Sequence, residues 1–344
     1  SSDRMTATSN ADSIIFHQAK LNTEKTIITP RREKLMKVLF VAGDPKPERW
    51  TRPLQHLLPE ASIHVWDAEG PPCDADYAIV WQPPALLFEK ERCLKAIFNL
   101  GAGIDGLLQV PNLPAGVPVV RLEDAGMSAQ MAEYVAHQLI EISRDMDVYR
   151  RQQSQGVWKI HRPIAREEWS VGVLGLGHIG SRVIRTLAAL DYPVAGWARN
   201  QHNLDGLPCY AGNEQLHDFL GRTRVLINTL PLTAETRDIV NYDMLSRLRP
   251  DAVLINVGRG EHLVDEDLLR AIEEGRVARA VLDVFRQEPL PAGHPFWQAA
   301  QITMTPHISA RTLRDATLAQ ITGKIKQLEA GQPIGGIVDI AQGY

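Results

Sequence analysis

The chain is predicted to be a two-domain α/β protein built on parallel sheets. Three observations carry this. At 344 residues it exceeds one typical domain of roughly 100–200 residues. Short apolar runs alternate with amphipathic stretches along nearly its whole length, as strand–helix–strand units do. One of these runs leads directly into a glycine-rich turn and a helix.

Composition narrows the class. Charged residues make up 23% and the net charge is -4, so no basic face for nucleic acid is indicated. No apolar run approaches the roughly 18 residues of a membrane-spanning helix, so no membrane role is expected. The three cysteines, Cys73, Cys93 and Cys209, are widely spaced and outside any C-x-x-C. They argue against a disulfide framework or a zinc site and suit a reducing cytoplasm. The histidines lack H-x-x-x-H spacing, so no metal is expected.

Ser1–Leu35 is polar and weakly patterned, and reads as a flexible extension of residues 1–36 without chemistry. The domain begins near Met36. Lys37–Ala42, Ser62–Trp66, Tyr77–Trp81, Ala96–Leu100 and Val117–Arg121 read as strands, bounded by Gly, Pro or Asp. Glu48–Leu58 is a helix between the first two. In Ser128–Met146, Met131, Val135, Leu139 and Ile140 form an apolar stripe at helical spacing. Tyr149–Glu168, rich in Arg and Gln, reads as a long surface connection. A second alternating block has strands at Ser170–Leu174, Val194–Ala198, Val225–Thr229, Ala252–Val257, Ala280–Val284 and Ile302–Thr305. Asp265 suits an N-cap and Gly275 the C′ position of a helix over Glu266–Glu274. Arg311–Gly331 is a final helix, long enough to return to the first domain.

Val171–Gly180 reads as a strand entering G-x-G-x-x-G, with the helix Ser181–Leu190 behind it. Gly175 permits the tight turn, Gly177 leaves room for a pyrophosphate, and Gly180 lets helix and strand pack closely. A helix N-terminus offers free N–H groups and partial positive charge to an anion. The loop therefore points to dinucleotide binding through Gly175, Gly177, His178, Ile179 and Gly180. An NAD-selective site places an acid at the end of the next strand. Here Ala198 stands 18 residues past Gly180, followed by Arg199, with no acid before Leu204. Arg199 suits a 2′-phosphate, which favours NADP over NAD while leaving NAD open.

Three polar groups follow later strands, where ligands bind in open α/β sheets. They are Asn256–Gly260, carrying Arg259; Asp283–Pro289, carrying Asp283 and Glu288; and Thr305–His307. Singly, each has a bland reading as a solvated Arg, a turn Glu or a structural His. Together and in this order they match N-x-x-R-G, D-x-F-x-x-E-P and T-P-H, and resemble the D-isomer-specific 2-hydroxyacid dehydrogenase family. Asn99–Asp105 matches that family's substrate loop. The resemblance spans about Met36 to Tyr344. Finer stretches, Tyr77–Pro84, Arg121–Met127 and Val338–Tyr344, resemble its glyoxylate/hydroxypyruvate reductase branch. That branch carries further basic residues after the arginine, whereas Asn200-Gln201-His202 follows Arg199 here.

The resemblance implies a Rossmann domain (126–310) inserted into a smaller flavodoxin-like substrate domain (37–125 and 311–344), with the active site between them. It implies a reductase of a small 2-keto acid, glyoxylate or hydroxypyruvate, preferring NADPH. His307 would donate the proton, Glu288 would hold its ring, and Arg259 would bind the carboxylate. Backbone N–H groups of Ala102 and Gly103 would take the other carboxylate oxygen, and Trp81 would close the pocket. Leu230, Pro231, Thr236, Val257, Arg259, Asp283 and His307 would line the cofactor. A homodimer is implied, with Ser128–Met146 and the arm after it packing on the partner. Rival readings are another 2-hydroxyacid dehydrogenase using NAD, a non-catalytic dinucleotide-sensing module, and a methyltransferase.

Overall fold

Two parallel sheets form the frame of the computed structural model, which describes residues 35–101 and 103–340. The expected extension, Ala102 and the last four residues lie outside the described residues. Both sheets belong to one compact unit beginning at Met36.

The first sheet is built from β1 (Met36–Val41), β2 (Ala61–Val65), β3 (Tyr77–Val80), β4 (Ala96–Asn99) and β5 (Val119–Val120). Helices α1 (Glu48–Leu57), α2 (Leu86–Lys90) and α3 (Asp105–Leu108) lie between the strands. The strand order is β2-β1-β3-β4-β5, a doubly wound arrangement in which the β1–β2, β3–β4 and β4–β5 crossovers carry a helix and the β2–β3 crossover is a loop. Alternation of side chains explains the burial on both faces. Val38 and Phe40 belong to one apolar cluster, while Leu39 and Val41 belong to another.

Two helices lead to the second sheet, α4 (Met127–Ser143) and α5 (Met146–Ser154). The predicted helix to Met146 stops three residues early, because Asp145 takes a left-handed φ of 52° and starts a new helix. The expected surface connection is thus helical in its first part, held by the Arg151–Asp147 pair at i,i+4 spacing.

The second sheet contains β6 (Val171–Leu174), β7 (Val194–Ala198), β8 (Cys209–Ala211), β9 (Val225–Asn228), β10 (Ala252–Asn256), β11 (Val277–Leu282) and β12 (Ile302–Met304). Their order is β12-β11-β10-β9-β6-β7-β8, so the chain reverses direction between β6 and β9, beside the glycine loop. Helices α6 (His178–Ala189), α7 (Gly212–Arg222), α8 (Tyr242–Ser246) and α9 (Asp265–Glu273) connect them. Val225, Ile227, Val253 and Ile255 pack on the α4/α6 side, and Leu226 and Leu254 on the other. Asp265 is not the N-cap of α9. It is the first helical residue, and its carboxylate faces His294 at 3.2 Å instead. Gly275 does take the left-handed conformation (φ 69°) expected just past a helix end.

The last helix, α10 (Arg314–Glu329), returns to the first sheet. Leu318, Ile321 and Ile325 join Phe40, Leu54, Tyr77 and Phe98 in one apolar cluster. Among the described residues, no helix is long and apolar enough to cross a membrane.

Candidate active site

Both sheets send the C-terminal ends of their strands toward one cavity of about 350 Å³. Trp81 and Gln82 enter it after β3, Asn99, Gly103 and Asp105 after β4, Arg259 after β10, Phe285 and Glu288 after β11, and His307 after β12. Five of the residues singled out from the sequence therefore meet in one place: Trp81, Gly103, Arg259, Glu288 and His307.

His307 sits in the left-handed region at φ 53°, which a residue with a Cβ adopts at a cost of roughly 1 kcal/mol. The surrounding hydrogen bonds impose it. The His307 N–H donates to the Asp283 carbonyl at 2.9 Å. The next two backbone N–H groups, of Ile308 and Ser309, donate to the Asp283 carboxylate at 2.9 and 2.8 Å. The Thr305 hydroxyl donates to it as well, at 2.5 Å. Asp283 is fully buried, so its charge is satisfied by these donors. Its carboxylate shapes the loop that presents the histidine.

Nδ1 of His307 lies 2.8 Å from Oε2 of Glu288. The Phe285 N–H donates to the other Glu288 oxygen at 3.0 Å. Burial alone would push the Glu288 carboxyl up. The bonds from His307 and Phe285 outweigh it and hold Glu288 below the usual range. The same Glu288 bond raises the His307 imidazole above its ordinary value, against the opposing effect of burial. The pair thus favours imidazolium with Nε2–H free to act on a bound group.

Arg259 is held by two partners. Its Nη1 donates to the Gly258 carbonyl at 2.8 Å, and its Nε and Nη2 face the Asp105 carboxylate from 3.2 Å. The glycines of the Gly101–Gly103 stretch answer steric demands of the protein's own side chains. A Cβ on Gly101 would stand 2.4 Å from the Trp81 ring, and one on Gly103 1.7 Å from Arg259 Nη2. They make room for the protein's own site. Trp81 is 43% exposed, so it is a wall of the cavity and not part of the core. Asn99 fixes the stretch by donating to the carbonyls of Gly101 and Gly103 at 2.9 and 2.8 Å.

The glycine loop lies at the C-terminal end of β6, on the edge of the sheet that also presents Arg259, Glu288 and His307. A Cβ on Gly180 would stand 1.8 Å from the Gly175 carbonyl oxygen, so α6 can approach the strand only with glycine there. At Gly177 the same test meets nothing within 4 Å, and the backbone faces open space. Thr229 braces the turn by donating to the Leu174 and Gly175 carbonyls. The first turn of α6, with His178 and Ile179, leaves its N–H groups without helix partners. An open cradle with free N–H groups at a helix start fits a dinucleotide pyrophosphate. Arg199 stands exposed at the end of β7. Leu230, Pro231 and Thr236 follow β9, and the buried Val257 follows β10, on the same edge of the sheet.

Sequence reasoning missed His262, which lies at the centre of this edge. It is fully buried. Its Nδ1 accepts from the Arg259 N–H at 3.1 Å and from the Asn228 side chain at 2.8 Å. Its Nε2 faces the Pro231 carbonyl at 3.2 Å, so the ring is neutral and ties the loop after β10 to the end of β9 and the loop that follows it. Burial, only partly offset by the Pro231 bond, brings its pKa down to about 4 from 6.5. A histidine so depressed stays neutral in the fold while the unfolded chain takes up a proton below about pH 6.5. Stability is therefore full above pH 6.5 and is lost progressively as pH falls toward 4. The loss amounts to about 3 kcal/mol by linkage. Unfolding midpoints between pH 7.5 and 4.5 should show this slope, and His262→Gln should flatten it. An unchanged slope would place the acid sensitivity elsewhere.

Comparisons with known proteins agree with this geometry. Residues 136–309 match the family model of the D-isomer specific 2-hydroxyacid dehydrogenase NAD binding domain. A glyoxylate/hydroxypyruvate reductase A from Yersinia enterocolitica is 42% identical over 314 residues, covering 90% of this chain and all of the relative. A D-isomer specific 2-hydroxyacid dehydrogenase from Xanthobacter autotrophicus, solved with NADPH and MES, is 36% identical with a TM-score of 0.84. It covers 90% of this chain and 99% of that one. An NADPH-dependent glyoxylate/hydroxypyruvate reductase from Sinorhizobium meliloti, solved with NADP and sulfate, is 32% identical with a TM-score of 0.84. It covers 90% of this chain and 100% of that one. With its glycine loop, its Arg259 and its Glu288–His307 pair set on this frame, the chain belongs to the D-isomer-specific 2-hydroxyacid dehydrogenase family.

Proposed function

We propose that this chain is an NADPH-preferring reductase that converts glyoxylate to glycolate and hydroxypyruvate to glycerate. The observation that carries it is the gathering of a guanidinium, Arg259, and a carboxylate-supported imidazole, His307, on one cavity at the sheet edge that also carries the glycine loop. The Yersinia and Sinorhizobium relatives bear the matching activity in their names. Residues 37–125 with 311–344 serve as the substrate domain and 126–310 as the dinucleotide domain.

A 2-keto acid needs a hydride at its carbonyl carbon and a proton on its oxygen. The nicotinamide cofactor, held by Gly175–Gly180, Arg199 and the loops after β9 and β10, supplies the hydride when bound. Arg259 holds the substrate carboxylate and draws density toward the carbonyl oxygen. His307 donates the proton from Nε2, with Glu288 holding the ring through Nδ1. Backbone N–H groups at Ala102 and Gly103 take the second carboxylate oxygen. Trp81 limits the size of the group beside the carbonyl. Asp283 keeps the Thr305–Ser309 loop in shape.

A homodimer fits the exposed arm after α5. Trp158 is 96% exposed and Ile160 82%, large apolar side chains that a second copy would cover. The free cysteines Cys73, Cys93 and Cys209 fit a cytoplasmic setting.

Absorbance at 340 nm with glyoxylate and NADPH tests the reading. Steady loss of NADPH is expected; binding of NADPH without turnover would instead identify a dinucleotide-sensing module. Cofactor choice has its own test. Only NADPH carries the 2′-phosphate, so Arg199→Ala should weaken NADPH use by roughly ten- to hundredfold and NADH use far less. Equal loss with both would remove Arg199 from the cofactor site.

A further inference from the structure

The Arg259 guanidinium, assigned above to the substrate carboxylate, already has a carboxylate beside it. Asp105, the first residue of α3, belongs to the first sheet's loops, and Arg259 to the second's. Nε of Arg259 lies 3.3 and 3.4 Å from the two Asp105 oxygens, and Nη2 lies 3.2 Å from one of them. Asp105 therefore grips one edge of the planar fork. The Gly258 carbonyl takes Nη1. Both side chains are about one-third exposed, at 29% and 32%, and both line the cavity. The second ion pair there, His307 with Glu288, is likewise closed on itself. Glu261 and Arg286 complete the charged lining, and Arg286 is turned away toward Asp238.

We infer that Asp105 is a positioning residue for Arg259: it orients the guanidinium and cancels part of its charge, trading anion affinity for geometry. This rests on the reading of Arg259 as the carboxylate anchor. Two opposed effects follow. A planar fork held along one edge presents its remaining donors in a fixed direction, which favours hydride transfer geometry. The negative charge beside it repels the incoming carboxylate, which weakens ground-state binding. A residue that merely braced the fold would show only the first kind of loss.

Oxalate, a small unreactive dicarboxylate, separates the two effects by titration calorimetry on the full chain. Asp105→Asn keeps an oxygen able to accept from Arg259 but removes the charge. It should bind oxalate about three- to tenfold more tightly than wild type, the size of a partly screened interaction between neighbouring charges. Its kcat on glyoxylate should fall severalfold while KM falls or holds. Asp105→Ala loses the grip as well, so its kcat should fall further. Thermal unfolding and circular dichroism confirm that each variant is folded. If folded Asp105→Asn binds oxalate no better than wild type, the charge-cancelling role is wrong. Unchanged kcat in both variants would refute the orienting role. If wild type reduces glyoxylate but neither variant departs from it, this inference alone fails. Wild type that neither binds oxalate nor reduces glyoxylate would remove the carboxylate anchor, and this inference with it.

Discussion

Replacing His307 with Ala should lower turnover by roughly 10²–10⁴-fold and leave NADPH binding nearly intact. The geometry explains the separation. The imidazole stands in the substrate cavity and its Nδ1 is taken up by Glu288 at 2.8 Å, so its free nitrogen has one task, protonation of the substrate oxygen. The cradle at Gly175–Gly180 is built from other strands and does not use the ring. Single-turnover kinetics and a fluorescence titration of NADPH measure the two halves. Retained turnover would assign the proton to another donor. The pH profile adds a second reading of the same pair. The Glu288 bond raises the His307 pKa, so imidazolium persists to higher pH and reduction falls only as pH rises through that raised value. Glu288→Gln removes the charge that causes the rise. The alkaline limb of the reduction profile should then move toward acid, and an unmoved limb would mean that Glu288 does not tune His307.

Much of this arrangement is legible in the sequence, for definite reasons. Strands buried on both faces read as continuous apolar runs, and β1, β3, β9 and β10 are of this kind. The glycine loop is legible because each glycine answers a steric demand, as the 1.8 Å approach at Gly180 shows. What escapes is set by longer-range contacts. The short β8 is only partly buried along its length and carries little apolar signal. Helix α5 has no buried residue, so periodicity cannot mark it. Asp265 looks like a cap, but tertiary pairing with His294 claims its carboxylate. His262 matters because it is buried among polar groups that the fold brings together, which no local pattern reveals, and Asp283 is legible as a motif residue but not as the anchor of the Thr305–Ser309 loop. Asp105 matches a motif, yet its pairing with a residue 154 positions away is visible only in the fold.

Arg259 should be the residue whose loss damages both binding and turnover. Its guanidinium lies in the cavity with His307, beside the Gly101–Gly103 stretch, where it can meet a substrate carboxylate before and during reaction. An interaction present in both states raises KM on removal, and the part that strengthens as charge builds on the carbonyl oxygen lowers kcat. Removing one such donor typically costs about 10²–10³-fold in kcat. Arg259→Ala should therefore fall by at least that much in kcat/KM on glyoxylate. Arg259→Lys restores the charge but not the planar fork that Asp105 and the Gly258 carbonyl hold, so it should recover only part of the loss. The anchor also predicts what the wild type refuses. Acetaldehyde offers the same reacting carbonyl without a carboxylate, and it should react far more slowly than glyoxylate. Steady-state kinetics of the three proteins on glyoxylate, with wild type on acetaldehyde, decide the matter together. If wild type reduced acetaldehyde as readily as glyoxylate, Arg259 would not be a carboxylate anchor and the 2-keto acid assignment would fall. If Arg259→Lys matched wild type, a point charge would suffice, and the planar geometry that Asp105 maintains would have no part in the reaction.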